Sequence, residues 1–340
     1  MLLLIANQFT RFAVPAFVFI SGFALANAYG AGRSSFDYFA YLKRRLGAVL
    51  PLYVLWSAGY HAYLHLPGET HSWSQHFMEL GKSLLLGTAA YHLYFIVLIC
   101  QFYLLAPVFL KLAGWLSSPR RLVGTGFVWQ LAATAYNYYI APAHIAALSG
   151  MPLLAGAASY LDRNFLLWMG YFIVGMGVAL ELPAFRSQVA RWGVKTAIPF
   201  LLGWAALVGE FVFAIKMGRS FAGTITSIKP LVLLYTAAAV PFLFWVEPRI
   251  CWQPAKKFFK RVAERSFEIY LIHPAVIWML QSTSWFRKLE AVFAAVPLTA
   301  MVYLACVAIT YGIAVLGYSF LAKARRRAAR LGAEAVSIRK

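Results

Sequence analysis

Charge is scarce in this sequence, and acid is scarcer still. Only 12% of the 340 residues are charged, and Asp and Glu together number 11 against 31 Lys and Arg. A soluble domain carries about 25% charged residues, so an ordinary soluble fold is excluded. Cysteine is nearly absent. Cys100, Cys251 and Cys306 are odd in number, two lie inside apolar runs and none pairs in a CxxC, which leaves neither a disulfide framework nor a cysteine zinc site. Internal repeats and low-complexity linkers are missing too. Met1 to Ala6 is apolar without a basic start or a small-residue cleavage site after it, so no cleavable signal peptide is read.

What remains is apolar: 62% of the residues are hydrophobic and 17% aromatic. Windows of about 20 apolar residues, the length that crosses a bilayer, fall near 12–32, 46–66, 91–113, 122–141, 163–182, 196–215, 229–247, 266–284 and 292–321. The expected architecture is therefore all-α, a polytopic bundle of about nine complete spans, with residues 1–322 as one membrane domain.

The formal charge of +20 is spread over the gaps between these runs rather than along a stripe or a known module, so nucleic acid is not an expected partner. Of the 31 basic residues, 23 fall on alternate gaps: Arg33 and Lys43 to Arg45, Lys111 to Arg121, Arg186 to Lys195, Arg249 to Arg265, and the tail. Basic loops stay cytoplasmic, so that side and the C-terminus are expected inside, the chain start outside and Arg11 at the outer surface. The tail 323–340 is expected to lie against anionic headgroups.

Polar groups inside a membrane are expensive and point to function or to helix pairing. In RFAVPAFVFISGF, Ser21 and Gly22 lie about 15 Å along the helix from Arg11, a polar step near mid-depth. His273 stands in SFEIYLIHPAVIW beside Pro274, which removes the donor that the Tyr270 carbonyl would use and predicts a kink. Two readings of His273 stand: a core imidazole bonded to a neighbouring helix, or an acid, base or substrate contact in a cavity. His92, flanked by Tyr91, Tyr94 and Tyr103, reads either as part of an interfacial aromatic belt or, with Gln101 deeper in the same run, as the start of a polar file. Glu210, Asn137 and Gln130 read as further hydrogen bonders within spans.

His61, His65, His71 and His76 crowd one external stretch with Glu69 and Glu79. His61 and His65 share a helix face, which is ligand spacing, but no second pair has a fixed spacing. No metal site is expected; a solvated cap is. Lys43, Arg44 and Arg45 stand at the cytoplasmic mouth of the second run, where topology alone accounts for them and where forked guanidinium groups would also hold phosphates.

Taken together and in order, RFAVPAFVFISGF, YLKRRLGAVLPLYVLW, YHLYFIVLICQFYLLAPVF and SFEIYLIHPAVIW resemble the bacterial acyltransferase 3 family of integral membrane acyltransferases. The resemblance implies a ten-helix bundle in the cell membrane. It also implies transfer of an acyl group, commonly acetyl or succinyl, from cytoplasmic acyl-CoA to a hydroxyl of an extracytoplasmic glycan or glycolipid. No permanently bound cofactor is implied; acyl-CoA is a co-substrate. By motif, Ser21-Gly22-Phe23 match the family's SGF element, Arg44-Arg45 its basic pair near the CoA phosphates, and Tyr270 and His273 its late tyrosine-histidine motif. The family's first helix, with an arginine and the histidine usually regarded as the base, has no counterpart, and residues 1–6 look like its last turns. Two readings stand, a truncated start, which is the favoured expectation, and a natural variant lacking the main base, with His273 as the remaining candidate base or an orienting group. Arg11, Ser21, Gly22, Phe23, His92, Gln101 and Tyr270 are the expected substrate path. An exporter or flippase of a lipid-linked saccharide, or an inactive family member, are the rival readings.

Overall fold

A computed structural model describes residues 7–30, 35–65, 72–147, 150–219 apart from 152, 153, 155, 157 and 159, 224–283, and 305–313. Among the described residues there are helices and turns but no strand, and the chain is an all-α membrane helix bundle. The main helices are α1 (Ala13–Tyr29), α2 (Tyr38–His65), α3 (Trp73–Leu86), α4 (Tyr94–Leu104), α5 (Ala106–Leu116) and α6 (Pro119–Ala135). They continue with α7 (Met169–Leu180), α8 (Leu182–Trp192), α9 (Ala197–Lys216), α10 (Pro230–Val246), α11 (Gln253–Glu264) and α12 (Ser266–Ser282).

Eight of the nine expected spans coincide with helix. Among the described residues, Asn7–Tyr29, Leu182–Lys216 and Pro230–Arg249 are long and apolar enough to cross a membrane, and the bent pair α4–α5 makes a fourth if it is one span. The ninth expected span lies outside the described residues except for the helical stretch 305–313, as do residues 1–6 and the tail.

The structure departs from the expected pattern at several gaps, each for a local reason. The run near 91–113 bends by 58° between α4 and α5, because Pro107 sits in the first turn of α5 and cannot donate to the turn before it. The external stretch expected as a cap contains α3, started by a reciprocal capping box between Ser72 and Gln75 and ended by Gly87 at φ 68°. The basic gaps at 182–192 and 253–264 are amphipathic helices, α8 and α11, with Arg186, Arg191 and most of α11 exposed. Such helices suit the membrane interface.

Two compact units, 1–249 and 250–340, divide the chain. The first is organised around α7, in which nine of twelve residues are buried and whose most extensive packing is on α1 and α6. Glycine makes this possible. A Cβ on Gly22 of α1 would stand 2.0 Å from the Phe172 carbonyl oxygen, and one on Gly175 of α7 2.0 Å from the Phe19 carbonyl oxygen. On the other side of α7, Gly126 and Gly170 press against each other's carbonyls, with would-be Cβ distances of 2.8 and 2.4 Å. Lipid supplies little hydrophobic drive between helices, so close backbone approach through small residues is what holds them. Phe172 adds a parallel stack on Phe102, centroids 4.6 Å apart.

The second unit holds α11, α12 and 305–313. Phe258 packs on Tyr311 at 5.7 Å between ring centroids, and the Cys306 thiol donates to the His273 carbonyl at 3.7 Å.

Candidate active site

The basic cluster divides its labour. Arg44 is exposed and its Nη2 donates to the Tyr29 hydroxyl at 2.6 Å, tying the start of α2 to the end of α1. Lys43 beside it is exposed. Arg45 turns the other way, its guanidinium 5.7 Å from the Tyr41 ring centre and 5.8 Å from that of Tyr103, within cation–π reach. Tyr29, Phe36, Tyr41 and Tyr103 form one aromatic cluster around these cations, edge-to-face except for the tilted pair Phe36–Tyr41. So Lys43 and Arg44 face outward, whereas Arg45 is built into the wall.

Along α1, Ser21 donates to the Phe17 carbonyl at 2.9 Å within its own helix. The space that Gly22 opens is occupied by the Phe172 carbonyl, and Phe23 packs on Phe244, centroids 6.4 Å apart. At the other end of the helix, Arg11 donates to the Asn7 side chain. His92 is buried in the turn before α4, its ring 5.6 Å from that of Tyr60 and 5.4 Å from that of Tyr91. Gln101 serves as a brace: its amide donates to the Arg163 carbonyl at 2.7 Å and its oxygen accepts from the Phe165 N–H at 3.1 Å. Gln130 braces α7 in the same way, donating to the Leu167 carbonyl at 2.7 Å and accepting from the Tyr171 N–H at 3.3 Å. Asn137 donates to the Ile228 carbonyl at 3.1 Å.

In the second unit, His273 and Tyr270 share one turn of α12, with ring centroids 6.0 Å apart. His273 Nδ1 lies 2.7 Å from the Tyr270 carbonyl oxygen. A carbonyl only accepts, so Nδ1 carries the proton and Nε2 is the ring's lone-pair nitrogen. This is the tautomer a general base requires when its second nitrogen faces substrate.

A family model described as "Acyltransferase domain" matches residues 2–318. The chain belongs to this acyltransferase family. The "Putative membrane-bound acyltransferase YfiQ" of Bacillus subtilis (strain 168) is 29% identical to it over 273 residues, which cover 77% of this chain and 67% of the relative. No solved structure matches.

One feature of this acyltransferase is not legible in its sequence. Lys229 is 1% exposed, pairs with Glu210 of α9 and donates to the Thr224 carbonyl at 3.1 Å. Glu210 also accepts from the Tyr138 hydroxyl at 2.7 Å, and the Arg219 guanidinium lies 5.1 Å from the Tyr138 ring centre. Lys229 directly precedes Pro230 and is the first residue of the expected run near 229–247, where a lone basic residue at the edge of a span carries no signal. Glu210 gave the only signal, as a carboxylate within an apolar run.

Proposed function

We propose that this membrane acyltransferase moves an acetyl- or succinyl-class group from cytoplasmic acyl-CoA to a hydroxyl of an extracytoplasmic glycan or glycolipid. The observation that carries the donor half is the outward pair Lys43 and Arg44, with Arg44 oriented by Tyr29 at an aromatic cluster. Cations of this kind suit the pyrophosphate and 3′-phosphate of CoA, and tyrosine and phenylalanine faces suit its adenine. From Arg44 to Tyr60, beside which His92 sits, is sixteen residues of one helix, about 24 Å of rise. His92 and Arg11 therefore mark the acceptor end, and α1, which carries Ser21 and Phe23, marks the route between.

The chemical half rests on His273. Nε2 takes the proton of the acceptor hydroxyl as its oxygen attacks the thioester carbonyl carbon. The tetrahedral oxyanion then collapses, the C–S bond breaks, and the leaving CoA sulfur recovers the proton from Nε2. Tyr270 holds the imidazole through its carbonyl. No metal and no resident cofactor take part in this reading; the cell membrane houses it, with the basic gaps of the sequence and the C-terminus on the donor side.

Inside-out vesicles bearing the full chain test the reading as a whole. Labelled acetyl-CoA added outside should deliver label to the glycan fraction inside, and His273→Ala vesicles should not. Equal labelling in both would refute the assignment of the base.

A further inference from the structure

The fold of α3 back onto α2 brings His61 together with two ligand-type side chains, His76 and Glu79, that the sequence leaves fifteen and eighteen residues away. His61 of α2 and His76 of α3 are both buried, at 5% and 8% exposure. Their rings meet edge-to-face, centroids 5.8 Å apart. Glu79 lies one helical turn beyond His76, on the same face of α3. The donor atoms of His61, His76 and Glu79 all lie within 4.8 Å of one another.

We propose that His61, His76 and Glu79 bind a divalent transition ion of the zinc class. Two imidazoles and one carboxylate are a ligand set that zinc takes with a water in the fourth position. Bonds of about 2.1 Å at tetrahedral angles put ligand atoms roughly 3.3 Å apart, so small side-chain rotations close the set around an ion. The geometry favours a site over a chance gathering for two reasons. Burial of two imidazoles beside a carboxylate concentrates one charge of the right sign where water is sparse, and the ligands come from two helices whose relative position the ion would lock. The capping box at Ser72 and Gln75 fixes the start of α3 one turn before His76, which sets the register of His76 and Glu79 toward α2. The ion joins α2 to α3, stabilises that hairpin and leaves one coordination position open to solvent or a hydroxyl.

Of the other candidates in the sequence, Glu69 and His71 lie outside the described residues, as does the side chain of His65. The site is independent of the acyl-transfer reading, and its test uses no turnover. The full chain, purified in detergent without a polyhistidine tag, is stripped with chelator and titrated with Co2+. The expected result is one equivalent bound, with the visible bands of a four-coordinate nitrogen and oxygen site, displaced by Zn2+, and a higher unfolding temperature in the loaded protein. His61→Ala and His76→Ala should lose the bands. Glu79→Gln, which keeps size and hydrogen bonding, should weaken binding and guards against the histidine variants simply failing to fold. His144→Ala, at an exposed histidine on another helix, should bind as the wild type does. Absence of a stoichiometric band in the wild type, or bands that survive His76→Ala and Glu79→Gln, would overturn the site and leave an aromatic packing cluster only.

Discussion

His273 Nδ1 stands 2.7 Å from the Tyr270 carbonyl oxygen, and that carbonyl is the one whose helical donor would come from position 274, a proline. The missing N–H of Pro274 and the imidazole of His273 are therefore two halves of one device. The proline vacates an acceptor and the histidine uses it, which fixes the ring and its tautomer within a helix.

This device can be taken apart. His273→Ala should lower acyl transfer by about 10²–10⁴-fold, the usual worth of a general base. Pro274→Ala returns an N–H to the Tyr270 carbonyl and competes with Nδ1. Its cost should be about tenfold at most in kcat, the worth of one hydrogen bond, with KM for acyl-CoA unchanged. Transfer assays on reconstituted protein check both; a Pro274→Ala enzyme that loses donor binding instead would point to a structural role.

The contact of α1 with α7 should fail when either glycine gains a methyl group. Gly22→Ala and Gly175→Ala would each place a Cβ 2.0 Å from a carbonyl oxygen, and overpacking of this kind costs about 1–3 kcal/mol or more. Gly59→Ala, where nothing lies within 4 Å, should be neutral. Thermal unfolding followed by size-exclusion in detergent distinguishes them. Equal stability of Gly22→Ala and Gly59→Ala would contradict the packing.

Removing the charge of Glu210 should strand Lys229. Lys229 is 1% exposed, and the Glu210 side chain remains 24% exposed, so Glu210→Gln should cost about 3 kcal/mol, the lower end for a broken buried pair. Adding Lys229→Met to Glu210→Gln should recover most of it. A double variant no more stable than the single one would show that the pair contributes through something other than charge.

How much of this was legible in the sequence follows the range of the interactions. Pro274 and Tyr270 are four residues apart, so the vacated carbonyl could be read directly, and only the identity of its new donor needed the structure. Gly22 read as a step for a substrate because its partner, Phe172, lies 150 residues away; nothing local says which backbone fills the gap. Gln101 read as part of a polar file for the same reason, its partners being Arg163 and Phe165. Adjacent residues can also diverge. Arg44 and Arg45 look like one phosphate clamp in the sequence, yet successive positions on a helix point about 100° apart, and the tyrosines on one side claim Arg45. Hydropathy found most helices but not α3, α8 and α11, because a short amphipathic helix with a polar face has the composition of a loop.

The division between Arg44 and Arg45 leads to the measurement that bears most directly on the claim of an acyl-CoA donor. The purified chain is heated with and without acetyl-CoA, and with dephospho-CoA in place of CoA. Acetyl-CoA at a hundred times its Kd should stabilise the wild type by about 2.7 kcal/mol, dephospho-CoA less. Arg44→Ala gives up one exposed hydrogen bond, so its own unfolding temperature should fall only slightly while the ligand's protection is lost, whereas Arg45→Ala should unfold earlier on its own, by the about 0.5–2 kcal/mol of a cation–π contact, and keep part of it. Protection that is absent in the wild type, or undiminished in Arg44→Ala, would contradict the account.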